Sequence, residues 1–207
     1  MSNILLTILA NSLVVNMRPL SRDFYERDTA TVARELLGKV FIHRTSEGLT
    51  SGKIVEVEAY FGKGDPASRA SRKRTRLNEI MWWRGGLAFV YMVHANWLFN
   101  VTTEREGVPG AVLVRALELL EGIKVMHERR GVSSERELTS GPGKLTRAMG
   151  ITKKHHGLDL TNSKSELAII EGRPEQFKIG SSHRIGVSAD LKRKLRFFVW
   201  GNPFVSR

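Results

Sequence analysis

The chain has no cysteine among its 207 residues. That absence excludes disulfides, thiolate-held zinc, cysteine-ligated iron–sulfur clusters and a cysteine nucleophile. It fits an intracellular protein of cytoplasm or nucleus. No apolar run reaches the length of a membrane-spanning helix, so no membrane partner is expected. Several signatures are missing too. There is no P-loop, no Rossmann glycine fingerprint, no G-x-S-x-G elbow and no zinc-deaminase pair of H-x-E with P-C-x-x-C. The adjacent His155-His156 is a weak metal signal in a basic loop and reads as solvated. No metal or other cofactor is expected. Acidic residues are scarce, with 21 Asp and Glu against 33 Lys and Arg, a formal net charge of +12. Such a surplus favours polyanionic partners, above all nucleic acid. Hydrophobic residues make up 41%, enough for a packed core.

The start, MSNILLTILANSLVVN, is apolar but lacks the basic flank of a signal peptide. Residues 1–16 read as an N-terminal arm, or as sequence upstream of a true start at Met17. No repeat, low-complexity block or linker divides the rest. Residues 17–207 are expected to form one domain.

Asp28 to Leu37 reads as a helix, capped by Asp28 or Thr29, with Val32, Leu36 and Leu37 as its stripe and Gly38 after it. Lys39 to Arg44 is a short strand and Glu47-Gly48 a turn. Gly52 to Tyr60, GKIVEVEAY, then has the composition of a buried strand yet carries Glu56 and Glu58. Strand side chains alternate. Val55, Val57 and Ala59 are predicted on one face, with Ile54, Glu56, Glu58 and Tyr60 on the other. Acids there mean either a solvated sheet face or a cleft that uses a carboxylate.

Gly62 to Asn78 has almost no apolar residues, and Arg69, Arg72, Lys73, Arg74 and Arg76 crowd its second half. It reads as a long loop. It leaves the acidic strand directly, and that position suits phosphate contact. Leu87 to Val93 and Trp97 to Thr102 are strands joined by a tight hairpin at His94-Ala95-Asn96. Gly110 to Leu117 is another, with Arg115 as its lone charge. A buried arginine needs an anion, so a carboxylate neighbour is expected, structural or functional. Leu119 to Arg130 reads as a helix whose stripe is Leu119, Leu120, Ile123 and Met126. In Thr139 to Ile151, two glycines and a proline precede a short helix. This is either an ordinary turn or a phosphate site built on backbone N–H groups. Glu166 to Glu171 and Leu195 to Trp200 close the set as strands.

Several of these stretches coincide with one family. They are IVEVEAYFG at 54–62, DPASRASRKRTRLN at 65–78, FVYMV at 89–93, FNVTTE at 99–104, GAVLVRALELLEG at 110–122 and SGPGKLTRAMGI at 140–151, then RIGVS and RFFVWGNPFVS near the end. Together, from about Arg18 onward, they resemble the alkyladenine (3-methyladenine) DNA glycosylase family. The resemblance implies a single mixed α/β (α+β) domain around a curved, mainly antiparallel sheet with flanking helices. It implies an enzyme that binds duplex DNA and flips a damaged purine (hypoxanthine, ethenoadenine or a 3-alkylpurine) into a pocket. A water then hydrolyses the N-glycosidic bond, in base excision repair. No metal or Schiff base is needed, and a monomer is expected.

By the same resemblance Glu58 activates water, Glu56 supports it and Arg115 helps hold the water. Tyr60 and Tyr91 wall the pocket, Asn100 discriminates among purines, and the backbone from Ile185 to Val187 closes the water site. Arg115 is also expected to keep Glu58 ionised. Two positions depart from the family. Arg69 stands where a histidine is common, which favours neutral lesions over cationic ones. His94, with Asn96 beside it, stands where a tyrosine usually wedges into the DNA. Arg72, Lys73, Arg74 and Arg76 are candidate phosphate contacts, as are Ser140, Gly141 and Lys144. The rival readings are a non-catalytic lesion- or DNA-binding protein of the same fold and an RNA-directed relative.

Overall fold

The computed structural model describes residues 18–206; the expected arm at 1–16 lies outside them. Two helices come first, α1 (Arg22–Tyr25) and α2 (Thr29–Leu36). Asp28 caps α2 by accepting from the Thr31 N–H at 2.9 Å, as its residue type suggests. Strands β1 (Val40–Thr45) and β2 (Gly48–Tyr60) form a hairpin. Strands β3 (Ala88–Val93) and β4 (Asn96–Thr103) form another, followed by β5 (Gly110–Glu121). Helices α3 (Ile123–Arg130), α4 (Arg136–Thr139) and α5 (Pro142–Met149) come next. Short strands β6 (Leu167–Ile170), β7 (Ile179–Ser182) and β8 (Arg196–Val199) complete the chain. No described helix is long and apolar enough to cross a membrane.

The eight strands make one antiparallel, curled sheet, six of them in the order β3-β4-β5-β2-β1-β6, with β8 on β2 and β7 on β8 off that path. β5 follows β2 from Ser51 to Tyr60. The other edge of β2 is shared, with β1 pairing its first half and β8 pairing Glu56 to Glu58. Helices α2 and α5 bury Val32, Leu36, Leu145 and Met149 against one face, and Phe41 stacks on Phe99 beneath them at 4.4 Å. An aromatic pair of this kind adds about 0.5–1.5 kcal/mol beyond its buried area.

Two expectations fail here. Strict alternation puts Ile54 beside the glutamates, yet Ile54 packs in the core with Val55, Val57 and Ala59. Irregularities at Ile54/Glu56 and Glu56/Val57 break the alternation. Leu119 and Leu120 are also not helical. Pairing with β2 carries β5 through to Glu121, where Leu119 faces Gly52. Gly122 then turns the chain with φ 74°, in the space a Cβ would contest with the Leu49 carbonyl at 2.4 Å. Ladder hydrogen bonds outweigh the helical spacing of a few leucines.

The histidine pair is the third correction. His156 is exposed, but His155 is fully buried, edge-on against His43 at 4.8 Å between ring centres. Burial holds both of these buried rings below the usual imidazole range.

Candidate active site

Glu56 and Glu58 are both fully buried. The solvated-face reading of the strand is therefore overturned. Burial pushes the Glu56 carboxyl up, but its partners more than offset that. Arg115 Nε donates to Oε1 at 2.7 Å and Arg196 Nε to the same oxygen at 2.8 Å. The Ser206 N–H donates to Oε2 at 2.6 Å. The net effect holds Glu56 below its ordinary value. Sequence reasoning missed Arg196, although it shows the same signal as Arg115, one arginine in an apolar strand.

Glu58 is driven the other way. Its Oε2 accepts from the Tyr60 hydroxyl at 2.7 Å and lies 3.2 Å from Arg115 Nη1. Its Oε1 accepts from the Ile185 N–H at 2.7 Å. Burial nevertheless outweighs all three, and the carboxyl is raised above its ordinary value. Arg115 favours the Glu58 anion, in the expected direction. Much of that guanidinium is engaged by Glu56, and desolvation dominates at Glu58.

Above this pair opens a cleft of about 1020 Å³. Tyr60, Arg115 and Ile185 form its floor, so all three partners of Glu58 separate it from the cleft. Tyr91, Leu98, Leu113 and Val187 add apolar wall. Arg69, Arg72, Lys73 and Lys144 supply cationic rim, as do Gly141 to Gly143 with backbone at the start of α5. His94 and Asn96 stand at the hairpin end. The sheet gathers these side chains from segments far apart in sequence.

Four candidates stand elsewhere. Arg74 and Arg76 are exposed but outside the cleft wall, with Arg74 over the Trp82 ring at 5.8 Å. Ser140 bridges to Ala116 behind the cleft. Asn100 is buried, its Nδ2 donating to the Phe89 carbonyl at 3.1 Å. It shares a face with Tyr91 and Leu98 but sits one cross-strand pair deeper, beneath the wall.

Arg69 does approach the pocket. Its guanidinium lies 5.1 Å from the Tyr91 ring centre, a cation on an aromatic face. Tyr60 carries a different cation, Arg184, at 4.6 Å. Arg184 was not singled out from sequence. It forks onto Asp65 at 2.6 and 2.7 Å and binds Asp190 at 2.6 Å and the Ala59 carbonyl at 2.9 Å. This buried cluster ties the basic loop and the segment carrying Ile185 to the end of β2. No local spacing reveals it, since Asp65 and Arg184 are 119 positions apart.

The family described as methylpurine-DNA glycosylase matches residues 23–203. A protein of Chlorobaculum tepidum is 42% identical over 193 residues, 92% of each chain. One of Oceanobacillus iheyensis is 43% identical over 93% of this chain and 98% of its own. One of Methanoculleus marisnigri is 43% identical over 89% of this chain and 96% of its own. All three carry the name "Putative 3-methyladenine DNA glycosylase". On the family match and these relatives, the chain belongs to the methylpurine-DNA glycosylase family.

Proposed function

We propose that this DNA N-glycosylase flips a damaged purine from duplex DNA into the cleft and hydrolyses its N-glycosidic bond with a water activated by Glu58. One observation carries the reading. Two neighbouring carboxyls behind an aromatic and cationic cleft are driven apart in proton affinity, Glu56 down and Glu58 up. Such divergence marks a fixed anion and a proton acceptor. Glu56 anchors Arg115, and Glu58 takes the proton.

The chemistry follows from the donors. Departure of the purine with the bond's electron pair leaves oxocarbenium character on the sugar. Water attacks that carbon and yields its proton to Glu58. A carboxylate offers about four acceptor positions, and three donors occupy Glu58 here. About one position is left for a water, which reaches it when the floor at Tyr60 or Ile185 gives way. Aromatic stacking on Tyr60 and Tyr91 contributes roughly 1–3 kcal/mol per face. That offsets part of the few kcal/mol that extrusion costs. Phosphates meet Arg72, Lys73 and Lys144 on the rim, and His94 fills the gap in the duplex.

Arg69 sets the substrate preference. Its guanidinium on the Tyr91 face repels a cationic alkylpurine, by roughly 1 kcal/mol in a solvated cleft. A neutral lesion rich in acceptors, hypoxanthine or ethenoadenine, meets no such penalty. The test is single-turnover base release from duplexes carrying hypoxanthine, ethenoadenine or an N-alkylpurine, by wild type and Glu58→Gln. Release lost in the variant with DNA binding kept supports the reading. Binding without release of any base by the wild type favours a lesion-binding protein instead. Arg69→His is expected to shift the ranking about fivefold toward the cationic lesion.

A further inference from the structure

A second constellation lies on the helix-covered face of the sheet. His43 projects from β1, His155 from the 3-10 turn after α5, and Glu166 stands just before β6. The two imidazoles are 1% and 0% exposed, the carboxylate 38%. His43 Nε2 lies 3.9 Å from Glu166 Oε2, and His155 Nε2 lies 3.3 Å from Glu166 Oε1. One ligand atom from each of the three residues falls within 4.8 Å of the others. Both Nε2 atoms are buried and have no hydrogen-bond partner among the described residues. Two unsatisfied nitrogens beside a carboxylate are costly to leave so.

We propose that His43, His155 and Glu166 form a binding site for one divalent transition-metal ion of the zinc class, structural in role. The donor set is one that zinc accepts, two imidazoles and a carboxylate, with a fourth position open to water. Ligands of a tetrahedral zinc at about 2.0–2.1 Å stand roughly 3.3 Å apart. The separations of 3.3 and 3.9 Å to Glu166 approach that spacing, and the 4.8 Å limit on the set leaves an adjustment of up to about 1.5 Å, within reach of side-chain rotation. The rear of each ring is already prepared. His43 Nδ1 lies 2.6 Å from the Met149 carbonyl, which accepts its proton and leaves Nε2 as a lone pair. Thr152 offers His155 Nδ1 both an N–H at 2.9 Å and a carbonyl at 3.1 Å. Metal binding selects the tautomer that donates to the carbonyl. Glu166, the one half-exposed member, gives the ion its entry. Lys154, 3.9 Å from Glu166 Oε2, opposes it from the rim.

The ion would pin the end of α5 and the turn after it to β1 and β6. The first turn of the same helix lines the DNA cleft through Gly143 and Lys144. The site therefore braces the cleft wall from behind and takes no part in the reaction.

Zinc alone is the probe, added to chelator-stripped protein. Bound metal is counted after gel filtration, and the melting temperature is followed with and without zinc. Wild type is expected to retain one ion per chain and to melt higher with it. Glu166→Gln, at a half-exposed position, is expected to fold and to bind at least about tenfold more weakly. His155→Gln is expected to lose the ion. Lys154→Ala is expected to bind more tightly. Cobalt substitution adds a readout free of folding, since tetrahedral nitrogen and oxygen ligation gives intense visible absorption that Glu166→Gln reduces. Wild type that holds no zinc overturns the proposal. So does zinc held equally well by Glu166→Gln and His155→Gln, which places it on other histidines.

Discussion

Glu56 and Glu58 stand two residues apart on one buried strand and share a single counter-ion, Arg115, at 2.7 and 3.2 Å, yet their proton affinities diverge. The difference lies in the remaining partners. Glu56 has Arg196 and Ser206 in addition, while Glu58 has a phenol and a backbone amide. One carboxyl is saturated by charge and the other is left poised.

A poised Glu58 gives a pH signature. In the proposed reaction it acts deprotonated, so activity is expected to fall as pH drops through its raised pKa. The acid limb of single-turnover base release is expected above the ordinary glutamate value of 4.5. Tyr60→Phe removes a hydrogen bond that favours the anion. The limb is then expected to move to still higher pH. A limb that stays put or moves down in Tyr60→Phe rules out this role for the phenol.

The same shift is a statement about stability. A carboxyl raised on folding contributes stability below the unfolded value, here 4.5, and loses it as pH rises through the folded value. Glu58→Gln cannot titrate. The melting temperature of Glu58→Gln minus that of wild type is therefore expected to grow more positive as pH rises from 4.5 toward neutrality. Whatever the amide costs in packing is constant across that series, so only the slope matters. A flat or falling difference contradicts a raised Glu58.

Glu56 has the opposite sign. Its folded pKa is depressed, so its stability is present above 4.5 and is lost as pH falls through the folded value. Glu56→Gln leaves Arg115 and Arg196 buried without their shared anion. The expected loss is about 3–5 kcal/mol in denaturant unfolding at neutral pH. The deficit is expected to shrink in acid, where wild type loses the charge too. A loss that is small or independent of pH removes Glu56 as the anchor.

How far these features were legible depends on the range of the force behind each. Arg115 was readable because a lone charge in an apolar strand has to find an anion, and the acidic strand was there to supply it. The Asp28 cap was readable because it is local. Leu119 and Leu120 misled because their helical spacing is weaker than a ladder with β2 that no window of sequence contains. The solvated reading of His155 fails because the groups that bury it, His43 and Glu166, lie far away in sequence. The Asp65–Arg184–Asp190 cluster escaped for the same reason. Asn100 shows a finer limit. Its face was predictable from alternation, but its depth beneath the Tyr91 and Leu98 layer follows from the register alone.

The hairpin between β3 and β4 closes in two residues, His94 and Ala95, at φ 45° and 61°. A turn with both φ positive matches strand twist, but it normally recruits glycine or asparagine. A side chain there costs roughly 1–2 kcal/mol per residue. Asn96 offsets a little by donating from Nδ2 to the His94 carbonyl at 2.9 Å. Under the proposed function this constrained tip beside the cleft is the segment that enters the DNA. Ala95→Gly relieves the strain at one position and loosens the tip. It is expected to stabilise the fold by about 0.5 kcal/mol, after the greater chain entropy of glycine is set against the relief. Base flipping, followed by fluorescence of a reporter base opposite the lesion, is expected to weaken in the same variant. His94→Tyr is expected to do the reverse, since a phenol offers more apolar area to the gap in the stack. If Ala95→Gly flips as well as wild type and His94→Tyr flips no better, the hairpin is not the wedge, and the strain at its tip has some other cause.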